Sequence, residues 1–189
     1  MDIIDTLLAR GFVDNSTDLD ELSAHLAGGS RTFYVGFDPT GDSLHVGHLL
    51  PVMVMSWLQR AGHRPIAVLG GGTAMVGDPS GKDETREILT PTIIAKNREA
   101  MRGQLAKFFA MSSTDGGDDK SDNAALLLDN GEWLLELNYV DFLREIGSQF
   151  SVNRMLTAEG FRQRLDRNQG LSFIEFNYHL LQSYDFLVL

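Results

Sequence analysis

The chain has 189 residues, of which 43% are hydrophobic and 22% charged, with no cysteine. That apolar fraction excludes a wholly disordered chain, and the lack of cysteine excludes disulfides and thiolate metal sites. The longest apolar stretches, 49–58 and 65–72, fall well short of the roughly 18 residues of a membrane span. With 16 basic and 26 acidic residues the net charge is −10, a poor surface for a phosphate backbone, so contact with any nucleic acid is expected to lie mostly outside this stretch. The N-terminus, MDIIDTLLARGF, has no basic leader and does not read as a secretory signal, which predicts a cytoplasmic protein.

The first 30 residues read as helical. IIDTLLARGF carries apolar residues at helical spacing, and Asp14-Asn15-Ser16-Thr17 offers a cap for a second helix, LDELSAHLA, ended by Gly28-Gly29. RTFYVGF (31–37), aromatic and β-branched and bounded by DPTGD, predicts a strand. Residues 45–60 return to helical spacing, and HRPIAVLGGG (63–72) predicts a short buried strand halted by three glycines. Pro91, suited to a first helical position, opens a long amphipathic helix over 91–111. SSTDGGDDKSDN (112–123) is a polar, acidic surface loop without the spacing of a calcium-binding loop. AALLLDN (124–130) predicts a third strand, and NYVDFLREIG, VNRMLTAEGFRQRL and SFIEFNYHLLQSYDFL read as three helical segments.

Strands alternating with helices over short connections predict right-handed crossovers and a parallel sheet. The expected fold class is therefore α/β: a Rossmann-like, nucleotide-binding parallel sheet with added helical segments. Residues 1–30 form a helical lead-in, 31–130 the nucleotide-binding half and 131–189 a helical connective segment. The uncapped apolar run Tyr184–Leu189 predicts a domain that is C-terminally incomplete.

Three motifs carry chemistry. In Tyr34–His48 (YVGFDPTGDSLHVGH) a strand passes through a tight loop into a helix N-terminus, where free N–H groups and the positive dipole end suit phosphate. His45 and His48, three apart, share one helix face. Their imidazole N–H groups can stabilise charge developing on an attacked phosphate. Gly47 leaves room for a flat base. A metal site on the two histidines lacks a third ligand nearby in sequence. The second motif, Gly70–Lys82 (GGGTAMVGDPSGK), is glycine-rich and follows a strand, but the residue after Lys82 is Asp83, so the P-loop spacing fails. Lys82 and Arg86 can offer mobile positive charge to a leaving pyrophosphate. The third is on the last helix, where Tyr178, Gln182 and Asp185 stand at i, i+4, i+7. They form one polar stripe among apolar residues, read either as a solvated face or as a contact for a small polar ligand.

Together these residues resemble the N-terminal part of a bacterial-type tyrosyl-tRNA synthetase, a class I aminoacyl-tRNA synthetase. The resemblance spans essentially the whole chain and is carried by YVGFDPTGDSLHVGH, GDPSGK, FSVNRML and SFIEFNYHLLQSYDF. It implies activation of L-tyrosine by ATP and transfer to tRNA(Tyr), with Mg²⁺ carried by ATP and no metal of the protein's own. It assigns Tyr34 and Asp185 to the substrate phenol. Tyr178, Asp78 and Gln182 take the α-ammonium, with Thr73 adjacent, which makes 131–189 the tyrosine-binding segment. Thr40 and His45 take the γ-phosphate, Gly36, Asp38, Gly47 and His48 line the adenylate site, and Lys82 and Arg86 face pyrophosphate. It further implies a homodimer with Phe173 at an apolar interface. A phenol-pairing site leaves Tyr34 and Asp185 unpaired when phenylalanine enters, which disfavours that substrate.

Val35 stands where the family often has a cysteine facing the ribose, an exchange expected to weaken ATP binding by about 1 kcal/mol. Gly72 replaces the usual alanine. The family's GSDQWGN-type segment, KMSKS loop and anticodon-binding domain would follow Leu189, so this stretch alone is expected to hold tyrosine, activate it poorly and charge no tRNA. The alternative expectation is a fragment that binds tyrosine or dimerises without ligase activity.

Overall fold

In the computed structural model, which describes residues 2–77, 89–112, 117, 121–167 and 170–189, three β-strands follow the apolar runs of the sequence. They are β1 (Thr32–Phe37), β2 (Arg64–Leu69) and β3 (Leu126–Asp129), in the order β1-β2-β3. β1 and β2 pair in parallel from Thr32 opposite Arg64 to Phe37 opposite Leu69. The central strand is buried at every residue but its first, as expected of a parallel strand covered on both faces.

The helices are α1 (Ile3–Ala9), α2 (Leu19–Ala27), α3 (Val46–Arg60), α4 (Pro91–Leu105), α5 (Gly131–Leu134), α6 (Tyr139–Glu145), α7 (Val152–Met155), α8 (Glu159–Asp166) and α9 (Phe173–Val188). The structure departs from the sequence reading in three places. The cap of α2 is Asp18, whose carboxylate accepts from Glu21 N at 2.9 Å, rather than the Asp14–Thr17 run. The helix opened by Pro91 ends at Leu105 instead of 111. Gln59 claims the backbone beyond it, donating to the carbonyl of Ala110 at 2.8 Å and accepting from its N–H at 3.0 Å. Met111 then bridges to Ala125. The segment VNRMLTAEGFRQRL is two helices, because Ala158 is extended and the Thr157 hydroxyl turns back to the carbonyl of Arg154.

The chain divides into two compact units. The first comprises residues 1–37, 41–69 and 97–128. Its core joins Phe37, Val52, Met55, Ala67, Leu69, Met101, Leu105, Phe109 and Leu127, with Phe33 and Val35 packed against it. Burial of the Val, Leu, Phe and Met side chains among them contributes about 1.5–3 kcal/mol each. α1 lies against α3, with the Arg10 guanidinium 4.5 Å from the centre of the Trp57 ring.

The same unit buries His63, 3% exposed, whose Nδ1 accepts the Arg31 N–H at 3.2 Å. Burial holds this imidazole below its usual pKa, the charges of Arg31 and His25 add to the effect, and Asp2 opposes it. The unfolded chain therefore binds a proton that the folded chain refuses. The contribution of His63 is fully present above about pH 6.5 and is lost as pH falls below it. Urea melts between pH 8 and pH 5 are expected to show a steeper loss of stability for the natural chain than for His63→Gln; parallel curves would refute this.

The second unit comprises residues 38–40, 70–96 and 129–189. Phe142, Met155 and Leu180 form its core, with Leu137, Ile146, Phe150, Phe176, Leu181 and Tyr184 packed around them. Ser172 caps α9 reciprocally with Glu175, the S-x-x-E arrangement that satisfies two end donors.

Candidate active site

In the first unit the strand pleat sorts the residues of β1. Phe33, Val35 and Phe37 face the core, so Tyr34 and Gly36 stand on the opposite face. Val35, the departure from the family pattern, is thus a core-packed residue. Beyond β1, His45 caps α3, and its Nδ1 accepts from Gly47 N at 3.1 Å. The Nδ1 of His48 accepts from His45 N at 3.2 Å. The two rings stack with centroids 3.7 Å apart and planes 18° from parallel. A Cβ on residue 47 would lie 3.0 Å from His45 Cε1, so glycine is what lets the first ring fold over the helix start. With Nδ1 accepting in both rings, the neutral proton sits on Nε2, leaving two N–H donors. Burial, and then the neighbouring His45, lower the His48 pKa.

In the second unit a chain of hydrogen bonds runs through buried side chains. The Tyr178 hydroxyl donates to Asp38 Oδ2 at 3.0 Å, and the Thr73 hydroxyl to Asp38 Oδ1 at 2.7 Å. Asn130 Nδ2 donates to Thr73 Oγ1 and to Asp185 Oδ2, both at 3.1 Å. Trp133 Nε1 donates to Asp185 Oδ1 at 2.8 Å. Asp185, 4% exposed, has its pKa raised by burial, with Asn130 and Trp133 acting in opposition. Among the described residues its donors are neutral, and a carboxylate so held retains acceptor capacity for a further hydroxyl.

The three glycines after β2 are required by what closes on them. A Cβ on Gly70 would overlap the carboxylate of Asp38, and one on Gly71 the carboxylate of Asp129. One on Gly72 would lie 2.9 Å from Leu134 Cβ. Asp129, 5% exposed, accepts from Gly71 N at 3.1 Å and Gly131 N at 2.9 Å, which fixes the turn leading to Thr73.

The sequence candidates divide accordingly. Tyr34, Gly36, His45, Gly47 and His48 belong to the first unit; Asp38, Thr40, Thr73, Tyr178, Gln182 and Asp185 belong to the second. Asp38, read from sequence on the ATP side, shares its carboxylate between Thr73 and Tyr178. Gln182 is exposed. Asp78, Lys82 and Arg86 lie outside the described residues. Asn130, Trp133 and Asp129 were not singled out in the sequence, although they lie where β3 ends, and the carboxyl ends of parallel strands are where sites collect in such sheets.

A parallel sheet with a histidine-capped helix after its first strand fits a class I synthetase. The family model described as "tRNA synthetases class I (W and Y)" matches residues 27–189, and the chain belongs to this family. Within it, the chain is 54% identical over 187 residues to a tyrosine–tRNA ligase of Clostridium botulinum, covering 99% of this chain and 43% of that protein. It is also 54% identical over 188 residues to the tyrosine–tRNA ligase of Rhodopseudomonas palustris, again 43% of that protein. Among solved structures, a C-terminally truncated mitochondrial tyrosyl-tRNA synthetase of Aspergillus nidulans superposes with a TM-score of 0.83 at 30% identity, over 97% of this chain and 52% of that one. The chain thus spans less than half the length of the curated relatives it matches.

Proposed function

We propose that this chain supplies the amino-acid and ATP determinants of a tyrosine–tRNA ligase. The observation that carries the reading is the buried Asp185 carboxylate, held by Asn130 and Trp133 and linked through Thr73 and Asp38 to Tyr178. A charged acceptor at one end and a hydroxyl–carboxylate pair at the other suit a ligand with a phenol at one end and an ammonium at the other. Asp185 accepts a hydrogen bond from the phenol O–H, with Tyr34 as its partner by family resemblance. Tyr178, Asp38 and Thr73 hold the ammonium, joined by Asp78 and Gln182.

His45 and His48 donate from Nε2 to ATP, which arrives with its Mg²⁺ as substrate; Thr40 adds a γ-phosphate contact, Gly36 and Gly47 give the nucleotide room, and Lys82 and Arg86 face the pyrophosphate. The tyrosine carboxylate oxygen bonds to the α-phosphorus, the α–β bridging P–O bond breaks, and pyrophosphate departs with its electron pair. A tRNA hydroxyl oxygen then bonds to the tyrosyl carbonyl carbon, the acyl C–O bond to the phosphate breaks, and AMP leaves with that electron pair while the hydroxyl proton passes to it. The protein's part is positioning and stabilisation of the charge that develops on phosphate. The three sequence segments keep their roles: lead-in (1–30), nucleotide-binding half (31–130) and tyrosine-binding segment (131–189). We place the protein in the cytoplasm. Among the described residues no helix is long and apolar enough to cross a membrane.

Calorimetric titration of the folded chain with L-tyrosine and L-phenylalanine tests the reading. Tyrosine is expected to bind and phenylalanine not; equal binding, or none by a folded chain, overturns it. A homodimer is supported by apolar side chains left exposed on the second unit, among them Phe173 at 69%, Val140 at 69% and Tyr139 at 59%. Sedimentation velocity reads its presence, and a monomer that persists at high concentration refutes it.

A further inference from the structure

The polar stripe of α9 begins one turn before Tyr178. Glu175, Tyr178, Gln182 and Asp185 stand at i, i+3, i+7 and i+10, all on one face of the helix. Glu175 and its partner Arg164 are buried charges that the proposed chemistry leaves unused, with side chains 6% and 8% exposed. Arg164 Nη1 donates to Glu175 Oε1 at 3.0 Å and Nη2 to the carbonyl of Gly170 at 2.7 Å. Glu175 Oε2 accepts from the Ser172 hydroxyl at 2.7 Å and from Ser172 N at 3.0 Å. Burial alone raises the Glu175 carboxyl, but the bonds from Ser172 and Arg164 outweigh it and hold the group below the usual carboxylate range.

A buried ion pair is a weak source of stability, because apolar residues of similar volume often serve as well. It does specify position. The guanidinium fork ties α8, the Gly170 carbonyl and the first turn of α9 together, and sliding or rotating α9 breaks charge-assisted bonds. One turn earlier on α8, the Phe161 ring lies 4.3 Å from that of His179 and 5.5 Å from that of Phe176, centre to centre. The same face of α8 thus grips the second turn of α9.

We infer that Arg164 is a positioning residue for the amino-acid site: acting through Glu175, it sets the rotation and register of α9, and with them the Tyr178 hydroxyl on Asp38 and the Asp185 carboxylate against Asn130 and Trp133. The inference rests on the reading of α9 as the tyrosine-binding helix. From Glu175 to Asp185 the helix rises about 15 Å, so a purely local role leaves the far end unchanged.

The chain has two tryptophans, Trp57 and Trp133, hence two indole N–H resonances in a ¹⁵N-labelled sample, assigned with Trp57→Phe. The double variant Arg164→Met/Glu175→Gln keeps the helix cap through glutamine and leaves no uncompensated charge. Its Trp133 resonance is expected to shift or broaden while that of Trp57 stays, and its L-tyrosine affinity to fall about tenfold, or 1.4 kcal/mol. Arg164→Lys, which keeps the charge but not the fork, falls between, and it carries the same readout should the double variant not fold. A folded variant with an unchanged Trp133 resonance overturns the inference. If the natural chain binds no tyrosine but the Trp133 resonance responds to the variant, the amino-acid reading fails and the positioning of Asp185 by Arg164 stands.

Discussion

Asn130→Ala is expected to destabilise the chain by on the order of 3 kcal/mol and to abolish measurable tyrosine binding. The Asn130 amide, 2% exposed, is saturated. Its Oδ1 accepts from Gly72 N at 2.9 Å and more weakly from Thr73 N at 3.4 Å. Its Nδ2 donates to Thr73 and Asp185. Alanine leaves two backbone N–H groups and one carboxylate oxygen short of a partner where water is excluded, and the cost is the desolvation of each. Asn130→Asp separates shape from charge. It keeps the volume but sets a second carboxylate against Asp185, so one of the two must hold a proton. The folded pKa of that pair is raised, so its stability is present at low pH and lost as pH rises. Urea melts at pH 5 and pH 8 check this: the variant is expected to gain on the natural chain at pH 5, and a pH-independent deficit would refute it.

Asp185→Asn is expected to lower L-tyrosine affinity by about 10- to 100-fold, more than any change in stability accounts for. A hydrogen bond to a charged group contributes roughly 1.5–3 kcal/mol, and a phenol donating to a neutral amide forfeits most of it. Stability is subject to two opposing effects: the charge that burial disfavours is removed, but Oδ1 and Oδ2 accept from Trp133 and Asn130, and an amide nitrogen in place of either oxygen leaves one of those donors without an acceptor. Thermal melting together with calorimetry separates the two effects. Tyrosine affinity that is unchanged, or that falls only in step with stability, would place the phenol elsewhere.

The local signals in the sequence reach only a few residues. Aromatic, β-branched and apolar runs bounded by turn residues placed β1 and β2 to within a residue or two, and the turn from β1 into a helix that starts at two histidines was visible because glycine and histidines are near neighbours. The length of α4 was not, since what stops it is Gln59, distant in sequence, bonding to the backbone of Ala110. The stripe Tyr178, Gln182, Asp185 was legible as a stripe but open in meaning, because helical spacing says which residues share a face and not what meets it. Tyr178 meets Asp38 across 140 residues and Asp185 meets Asn130 across 55; Gln182 is exposed.

By itself, then, the sequence determined the α/β alternation, the two histidines at a helix start and the family resemblance, all of which rest on residues close together along the chain. Only the tertiary structure decided that Gly70–Gly72 must lack side chains because Asp38, Asp129 and Leu134 close upon them. It alone showed that Asn130 and Trp133 hold Asp185, and that Arg164 anchors α9. Each of these is a contact between distant segments, created by the packing that buries their polar groups and obliges them to find one another.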